Sequence, residues 1–220
     1  MPQAARGGIP AGRGAARGPY RKTAARRQDI LDAALTVFGQ SGYRSGSIRE
    51  IAETVGISQA GLLHHFGSKD ALLTAVLRHR DDMTKLLYSP ATPGVETLLG
   101  AVGAFRQTHR GTAELYCVLS AEATAPAHPA HKYFADRYVW LRSAFTEAFT
   151  RMRAAGELRA DIEPASAARS VVALMDGLQL QWLLDPESVN MADDLESYFR
   201  QLATEEAWQA AAAGHPATVA

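Results

Sequence analysis

The sequence predicts an all-α protein, and three observations lead to this prediction. Apolar residues recur every three or four positions from residue 26 onward, as they do on one face of an α-helix. No segment alternates apolar and polar residues with the period of two that is typical of strands. Hydrophobic residues make up 47% of the 220 residues, which is ample for a packed core.

Residues 1–25 are predicted to be a disordered basic tail. Residues 1–28 contain seven basic residues and no acidic one, whereas residues 81–220 carry a net charge of −7, so the overall formal charge of zero hides a gradient. Two interpretations of the tail stay open: an arm along the phosphate backbone of a nucleic acid, and a passive solubilising arm. A second disordered tail is predicted over residues 213–220.

The first predicted helix begins at residue 26 and ends at Gly39 and Gly42. Its apolar stripe consists of Ile30, Leu31, Ala34, Leu35 and Phe38. The segment Ser47-Ile-Arg-Glu50 is a capping box, in which the Ser47 hydroxyl accepts a hydrogen bond from the Glu50 amide and a short second helix begins. This second helix is predicted to stop near Gly56.

A third helix is predicted to begin after Ser58 and to end near Phe66 and Gly67. Ser68 can cap a fourth helix, which we expect to serve as a connector to about residue 88, before Pro90. The rest of the chain is predicted to form helices at about 95–110, 112–125, 130–155, 164–184 and 191–212, with breaks at Gly111, Pro126 and Pro129, Gly156, and Pro186.

The most informative unit runs from Ser47 to His65. Its apolar residues stand where two short helices must face each other and the first helix: Ile51, Val55, Ile57 and Leu62. Ala52 is small at the crossing, and Gly56 can adopt the left-handed backbone of a tight turn. This arrangement predicts a helix-turn-helix, whose second helix enters the major groove of DNA.

The sequence around this unit resembles the TetR family of bacterial transcriptional regulators over about residues 26–78. The resemblance rests on Ile30-Leu-Asp-Ala-Ala-Leu-Thr-Val-Phe38, Gly42-Tyr43, Ser47-Ile-Arg-Glu-Ile-Ala52, Val55-Gly-Ile-Ser58, Leu62, His65-Phe66 and Ser68-Lys-Asp-Ala-Leu-Leu73. It implies a three-helix DNA-binding domain over residues 26–80 and a larger helical domain over residues 81–212, for effector binding and dimerisation. It also implies a repressor that a small effector releases from a palindromic operator.

The resemblance implies that nine residues contact DNA: Ser47, Arg49, Gln59, Ala60, Gly61, Leu63, His64, His65 and Lys69. Arginine and glutamine suit guanine and adenine through paired hydrogen bonds, and alanine suits a thymine methyl group. Alternatives stay open for Arg49, which can pair with Glu53 four residues on, and for His65, which can serve packing or capping. Leu63 departs from the aromatic residue usual in the family and cannot donate to phosphate. The alternatives are that Leu63 contacts a thymine methyl group, or that the basic tail replaces the phosphate contact.

In the C-terminal domain, the resemblance implies an effector pocket and a dimer interface. Candidate pocket residues are Phe105, His109, Cys117, Glu122, Trp140, Met175, Gln179 and Trp182, a mixture that suggests a small, largely apolar or aromatic effector. Candidate interface residues are Val171, Leu174, Leu178, Leu195, Tyr198, Phe199 and Leu202. The alternative for the candidate interface residues is that they only close the core of one subunit.

Other functional classes have little support in the sequence. An enzyme is not predicted, because G-x-S-x-G, a glycine-rich phosphate loop and spaced Cys/His sets are all missing. No cofactor or metal is predicted, since His128 and His131 lack a nearby third ligand. The single cysteine and the lack of an apolar N-terminal segment favour a cytoplasmic protein and no membrane. The resemblance implies the bacterial cytoplasm, and the nucleoid when DNA is bound. A partner-binding scaffold with a vestigial helix-turn-helix remains the alternative.

Overall fold

The computed structural model describes residues 18–87 and 94–214, and these residues contain ten helices and no β-strand. In chain order the helices are α1 (Gly18–Ser45), α2 (Ile48–Thr54), α3 (Gln59–Phe66), α4 (Lys69–Leu87), α5 (Val95–Arg106), α6 (Arg110–Glu122), α7 (His131–Ala154), α8 (Pro164–Leu184), α9 (Met191–Leu202) and α10 (Glu205–Gly214). The predicted all-α class is confirmed. None of the described helices is long and apolar enough to cross a membrane.

Helix α1 begins at Gly18, well before the predicted start at residue 26. Proline is favourable in a first turn, as at Pro19, and alanine has the highest helix propensity of all residues. Residues 18–25 are therefore helical, and this part of the tail prediction is wrong. Residues 213 and 214 likewise belong to α10. The remaining tail residues, 1–17 and 215–220, lie outside the described residues, as does Pro90.

The two glycines predicted to end α1 have different roles. Gly39 lies within the helix, where a Cβ would stand 3.0 Å from the Gly111 carbonyl oxygen and 3.2 Å from the Leu115 amide nitrogen, so its missing side chain lets α1 and α6 approach closely. At Gly42 the helix kinks, with φ 71° and ψ 175°. This backbone region is open essentially only to glycine.

The boundary between α5 and α6 differs from the prediction of a break at Gly111. Helix α5 ends at Arg106 and α6 begins at Arg110, so Gly111 is already helical. Because Gly111 faces Gly39 across the crossing of α1 and α6, it serves their packing rather than a helix end.

The helix predicted over residues 191–212 is two helices. Ala203 has an extended backbone and pairs with Leu158 in an isolated antiparallel bridge. On either side of it, the Arg159 amide donates to the Leu202 carbonyl at 3.0 Å, and the Thr204 amide donates to the Glu157 carbonyl at 2.8 Å. These non-local hydrogen bonds, which helical periodicity does not reveal, separate α9 from α10.

Two hydrophobic clusters organise the molecule. One unites the buried faces of α1, α2, α3 and α4, and it also takes in Leu115 and Leu119 of α6 and Phe134 of α7. The other is built from α5, α7, α8, α9 and α10. Helix α6 is thus packed into the N-terminal domain although it follows the predicted boundary at residue 81.

Most of the predicted dimer residues lie inside the second cluster. Those buried there are Val171, Leu178, Leu195, Phe199 and Leu202, and Leu174 and Tyr198 pack partly buried against them. A side chain that its own chain encloses is not available to a partner. The five buried residues therefore close the core of the subunit, which corrects the proposed interface. The large hydrophobic residues exposed on this domain are Val139 of α7 and Leu180 and Leu184 of α8, among the residues described.

Candidate DNA-binding surface and internal cavity

Helices α2 and α3 form a capped pair joined by a tight turn. The Ser47 hydroxyl accepts a hydrogen bond from the Glu50 amide at 3.1 Å, and the Ser58 hydroxyl accepts one from the Gly61 amide at 3.0 Å. Gly56 in the turn has φ 67°. The buried side chains of Ile51 and Leu62 anchor the pair to α1. Local sequence chemistry therefore fixes the start of both helices, as predicted.

The outer face of α3 is available for contact. Gln59, Ala60 and His64 are exposed, and Leu63 is 37% exposed. Gly61 and His65 are partly buried. Four of the six predicted contact residues of this helix are therefore exposed, and Leu63 adds an apolar side chain to that surface.

The predicted residues before and after α3 are already engaged within the chain. Arg49 is exposed, and its Nε donates to Glu53 Oε1 at 2.7 Å, as the alternative interpretation held. Both side chains are exposed to solvent, so the ion pair contributes little stability. An approaching phosphate can therefore compete with Glu53 for the guanidinium. Ser47 uses its oxygen as the cap of α2, which leaves its hydroxyl proton free to donate.

Lys69 contacts the last turn of α1. Its Nζ donates to the Arg44 carbonyl at 3.2 Å and lies 4.6 Å from the centre of the Tyr43 ring. It therefore joins the start of α4 to the end of α1. Tyr43 itself donates to Asp70, and burial together with this carboxylate raises the pKa of Tyr43 to about 12.

Two arginines of the basic segment support the helix-turn-helix, which the sequence did not indicate. Arg26 donates to the Val55 carbonyl at 3.0 Å, at the end of α2. The Arg27 guanidinium lies 4.3 Å from the centre of the Phe66 ring. Their spacing of 29 and 39 residues from these partners left no local signal. The positive charges of these two arginines are thereby held beside α2 and α3.

A cavity of about 280 Å³ opens between α6, α7 and α8. It is lined by Tyr116, Cys117, Ser120, Phe134, Arg137, Tyr138, Leu141, Val172, Met175, Asp176, Gly177, Gln179 and Leu180. Of the eight predicted pocket residues, Cys117, Met175 and Gln179 belong to this lining. The cavity lies near the lower end of the volumes usual for small-molecule sites.

The other predicted pocket residues lie elsewhere. Phe105 is buried in the second cluster, and Trp182 packs partly buried against it. His109 precedes α6 and is exposed. Trp140 lines a separate groove between α4 and α7. Glu122 contacts the end of α1. The apolar periodicity of a single helix does not show whether a residue lines a cavity or packs in the core. That depends on how the helices pack against one another.

The ionisable residues of the cavity wall were the main omission of the sequence prediction. Arg137 forms an ion pair with Asp81 of α4, and both side chains are largely buried, at 15% and 13% exposed. The Tyr116 hydroxyl also donates to Asp81, at 3.3 Å. Helix α7 carries seven Lys, Arg, Asp and Glu residues, so its sequence alone did not single out Arg137.

Asp176 supplies the remaining carboxylate of the wall. It stands at the cavity mouth, where its residue reaches solvent while its carboxylate accepts from the Tyr138 hydroxyl at 2.7 Å. The surrounding walls raise the pKa of Asp176 by desolvation, against the Tyr138 hydrogen bond and the charge of Arg137. Among the described residues no cation forms an ion pair with it. Arg137 is paired with Asp81, and its charge also acts on Asp176.

The two histidines considered as metal ligands contact other residues of the chain. The His131 Nδ1 donates to the Ala123 carbonyl at 2.8 Å, and His128 is buried beside Glu122. Within the described residues, no group of three or more His, Cys, Asp or Glu side chains is placed to hold a metal ion.

Comparison with known proteins relates both parts of the chain to transcriptional regulators. Residues 30–76 match the profile of bacterial regulatory proteins of the tetR family, and residues 95–205 match that of the BetI-type transcriptional repressor C-terminal domain. The chain is 42% identical over 73 residues to the HTH-type transcriptional regulator BetI of Rhizobium meliloti, a match that covers 31% of this chain and 36% of that protein.

Longer but more distant similarities extend over most of the chain. The HTH-type transcriptional repressor Rv1474c of Mycobacterium tuberculosis is 28% identical over 160 residues, which cover 70% of this chain and 81% of that protein. The crystal structure of a putative transcriptional regulator from Saccharomonospora viridis in complex with choline superposes with a TM-score of 0.70 at 22% identity, covering 83% of this chain and all of that one. This last likeness concerns the fold alone.

Proposed function

Because the chain belongs to the TetR family of bacterial transcriptional regulators, we propose that it is a dimeric, sequence-specific repressor that a small organic cation releases from its operator. It would act in the bacterial cytoplasm, on the nucleoid when bound to DNA. The observation that carries the DNA-binding part is the open face of α3, whose Gln59, Ala60 and His64 are exposed while Leu62 anchors the helix. A helix presented in this way fits the major groove.

We predict that Gln59→Ala weakens binding to the operator by about 1–3 kcal/mol, since a paired hydrogen bond to a base is lost. Binding to random DNA should change little, because phosphate contacts remain. The measurement is fluorescence anisotropy with a duplex selected from a random library by the purified protein. Arg49→Ala tests the second base contact in the same assay.

Gln209→Ala is the matched control, since Gln209 is an exposed glutamine on α10, remote from α3. Equal loss of affinity for the selected and the random duplex would mean that Gln59 does not read a base. If no duplex is enriched over random sequence, the proposal of sequence-specific binding is wrong.

Dimerisation is proposed through the exposed face of α7 and α8. One helix-turn-helix module makes few contacts, and a twofold dimer presents two modules to half-sites about one turn of DNA apart. Val139, Leu180 and Leu184 are exposed on this face, and Leu184 is 79% exposed. Burial of these side chains against a second copy would remove apolar surface from water.

Leu184→Arg is therefore expected to convert a dimer into a monomer in sedimentation velocity at micromolar concentration, with the helical content unchanged by circular dichroism. Two like charges would be buried at the twofold contact, which is unfavourable. Glu187→Arg, at an exposed position beyond the end of α8, is the control for added charge. A Leu184→Arg protein that remains dimeric would exclude this face.

The cation part of the proposal rests on the charges and rings of the cavity. Asp176 forms no ion pair among the described residues, and Arg137, whose charge acts on it, is paired with Asp81. The rings of Tyr116, Phe134 and Tyr138 belong to the same wall. A carboxylate and aromatic faces together favour an organic cation. The structurally similar regulator that was crystallised with choline supports this class of effector. The proposal of an organic cation refines the expectation of an apolar or aromatic effector.

Asp176→Asn is predicted to weaken choline binding about tenfold, equivalent to about 1.4 kcal/mol, because the neutral amide no longer attracts the ammonium. Isothermal titration calorimetry measures this change directly. Asp136→Asn removes an exposed carboxylate of α7 that pairs with Lys132 and serves as the control. Unchanged choline affinity in Asp176→Asn would contradict the assigned role of the carboxylate.

A further inference from the structure

The Tyr138 hydroxyl joins the three helices that enclose the cavity. Tyr138 belongs to α7, and its hydroxyl donates to Asp176 Oδ2 of α8 at 2.7 Å. Ser120 of α6 forms a hydrogen bond with the same hydroxyl. All three residues line the cavity, and Tyr138 also packs against both hydrophobic clusters. The position of this donor is therefore fixed by the fold before any effector binds.

Tyr138 remains protonated throughout the acid and neutral pH range. Burial raises the pKa of Tyr138, and the hydrogen bond to Asp176 and the negative charge of that carboxylate raise it further. A protonated phenol can donate to a carboxylate, whereas a phenolate cannot. The hydroxyl is therefore available to Asp176 at every pH in this range.

The charge of Asp176 depends on this hydroxyl. Desolvation by the cavity walls raises the pKa of Asp176, whereas the Tyr138 hydrogen bond and then the charge of Arg137 lower it. The hydrogen bond lowers the pKa because it stabilises the charged carboxylate more than the neutral acid. Without it, desolvation would be opposed by the charge of Arg137, which is already paired with Asp81. Asp176 would then become neutral at a higher pH.

We propose that Tyr138 is the positioning residue of the cation site. Its hydroxyl holds the Asp176 carboxylate at the cavity mouth in the charged form that attracts an ammonium group, and it thereby extends binding of the cation to mildly acid pH. The inference rests on the proposed function, because it specifies which residue sets the pH range of the proposed effector site. Tyr138→Phe isolates the hydroxyl, since the ring remains in the cavity wall.

The other ionisable groups of the cavity wall keep their charge in this pH range. Cys117 of α6 is neutral, because burial and the Asp176 carboxylate raise the pKa of its thiol. Tyr116 of α6 is neutral as well, because burial raises the pKa of its hydroxyl. Arg137 of α7 is permanently charged, and its partner is Asp81 of α4. Choline itself does not titrate. A loss of choline affinity on acidification therefore reports the charge of Asp176.

The first experiment measures choline affinity by isothermal titration calorimetry from mildly alkaline to mildly acid pH. Tyr138→Phe should bind choline as the wild type does at mildly alkaline pH and about fivefold more weakly at mildly acid pH, which is less than the about tenfold effect of losing the charge altogether. Asp176→Asn removes the titrating group, so its weaker affinity should not depend on pH. Tyr133→Phe is the matched control, because it removes a hydroxyl of the same helix that donates to the Leu77 carbonyl. It should follow the wild type at every pH.

The second experiment needs no effector. Carboxyl-carbon NMR of the chain labelled at aspartate follows the titration of Asp176, and Asp176→Asn identifies its signal. Tyr138→Phe should move this titration to higher pH, and Tyr133→Phe should leave it unchanged.

Three outcomes would contradict these expectations, and they differ in what they overturn. If Asp176 titrates alike in the wild type and in Tyr138→Phe, the inference is overturned while choline binding stands. A loss of choline affinity in Tyr138→Phe that is equal at every pH would also overturn it, because it would show a merely structural role of the hydroxyl. A wild-type chain that binds no choline at any pH contradicts the proposed cation site and the positioning role together.

Discussion

Replacing Arg137 by alanine is expected to lower the free energy of unfolding by about 3–5 kcal/mol, because the largely buried Asp81 carboxylate loses its cation and keeps the Tyr116 hydroxyl. Arg137 and Asp81 are both largely buried, and they join α7 to α4 beside the cavity. The Arg137 guanidinium also lies 4.5 Å from the centre of the Tyr116 ring, a contact that the alanine variant loses. Chemical denaturation with urea measures the change.

Two comparisons distinguish the contribution of the ion pair to stability from a non-specific loss of stability. Replacing both partners, with Asp81→Leu and Arg137→Met, should recover most of the lost stability, since no buried charge is left unpaired. Lys132→Ala removes one partner of an exposed pair on the same helix and should cost about 0–1 kcal/mol. If the Arg137→Ala loss is no larger than that of Lys132→Ala, the pair is not the buried contact described here.

The second large effect is expected at the kink of α1. Gly42→Ala should destabilise the chain by about 1–3 kcal/mol through its backbone conformation alone, with φ 71° and ψ 175°. The new Cβ would add crowding, because it would stand 2.7 Å from Glu122 Oε1. The substitution should therefore displace the carboxylate from the Tyr43 amide. Thermal unfolding and urea denaturation both report the loss.

Gly67→Ala is the matched control for strain without crowding, because Gly67 has φ 81° and an added Cβ would meet no neighbouring atom within 4 Å. Combining Gly42→Ala with Glu122→Ala should recover the crowding part of the loss, and a double-mutant cycle measures that part. Additive effects of the two substitutions would show that the Glu122 carboxylate does not occupy the kink.

The features that could be predicted from the sequence depend on neighbouring residues. The Ser47 and Ser58 hydroxyls each cap a helix by accepting a hydrogen bond from the amide three residues later. Gly56 makes the turn between these helices through its own positive φ. Such local chemistry fixes α2 and α3 without reference to the rest of the fold. The family resemblance, which covers the same region, was confirmed by matches to both domains.

The features that could not be predicted depend on distant residues. An apolar stripe has the same period whether its own chain or a second copy covers it, so Val171 and Phe199 were assigned to a dimer interface although both are fully buried in one subunit. Arg137 is balanced by Asp81, 56 residues earlier in the chain, and Lys69 is held by Arg44, 25 residues earlier. Neither pairing has a signature in local spacing.

The most direct test of the central claim, that an organic cation controls binding to a specific DNA sequence, is a titration of the protein–duplex complex followed by fluorescence anisotropy. The account predicts that choline lowers the affinity for the selected duplex about fivefold or more, whereas 3,3-dimethylbutan-1-ol, an uncharged molecule of the same shape, has little effect. Asp176→Asn should need about ten times more choline for the same effect and should keep the affinity for DNA. Equal responses to choline and to the uncharged alcohol, or none to either, would contradict the account.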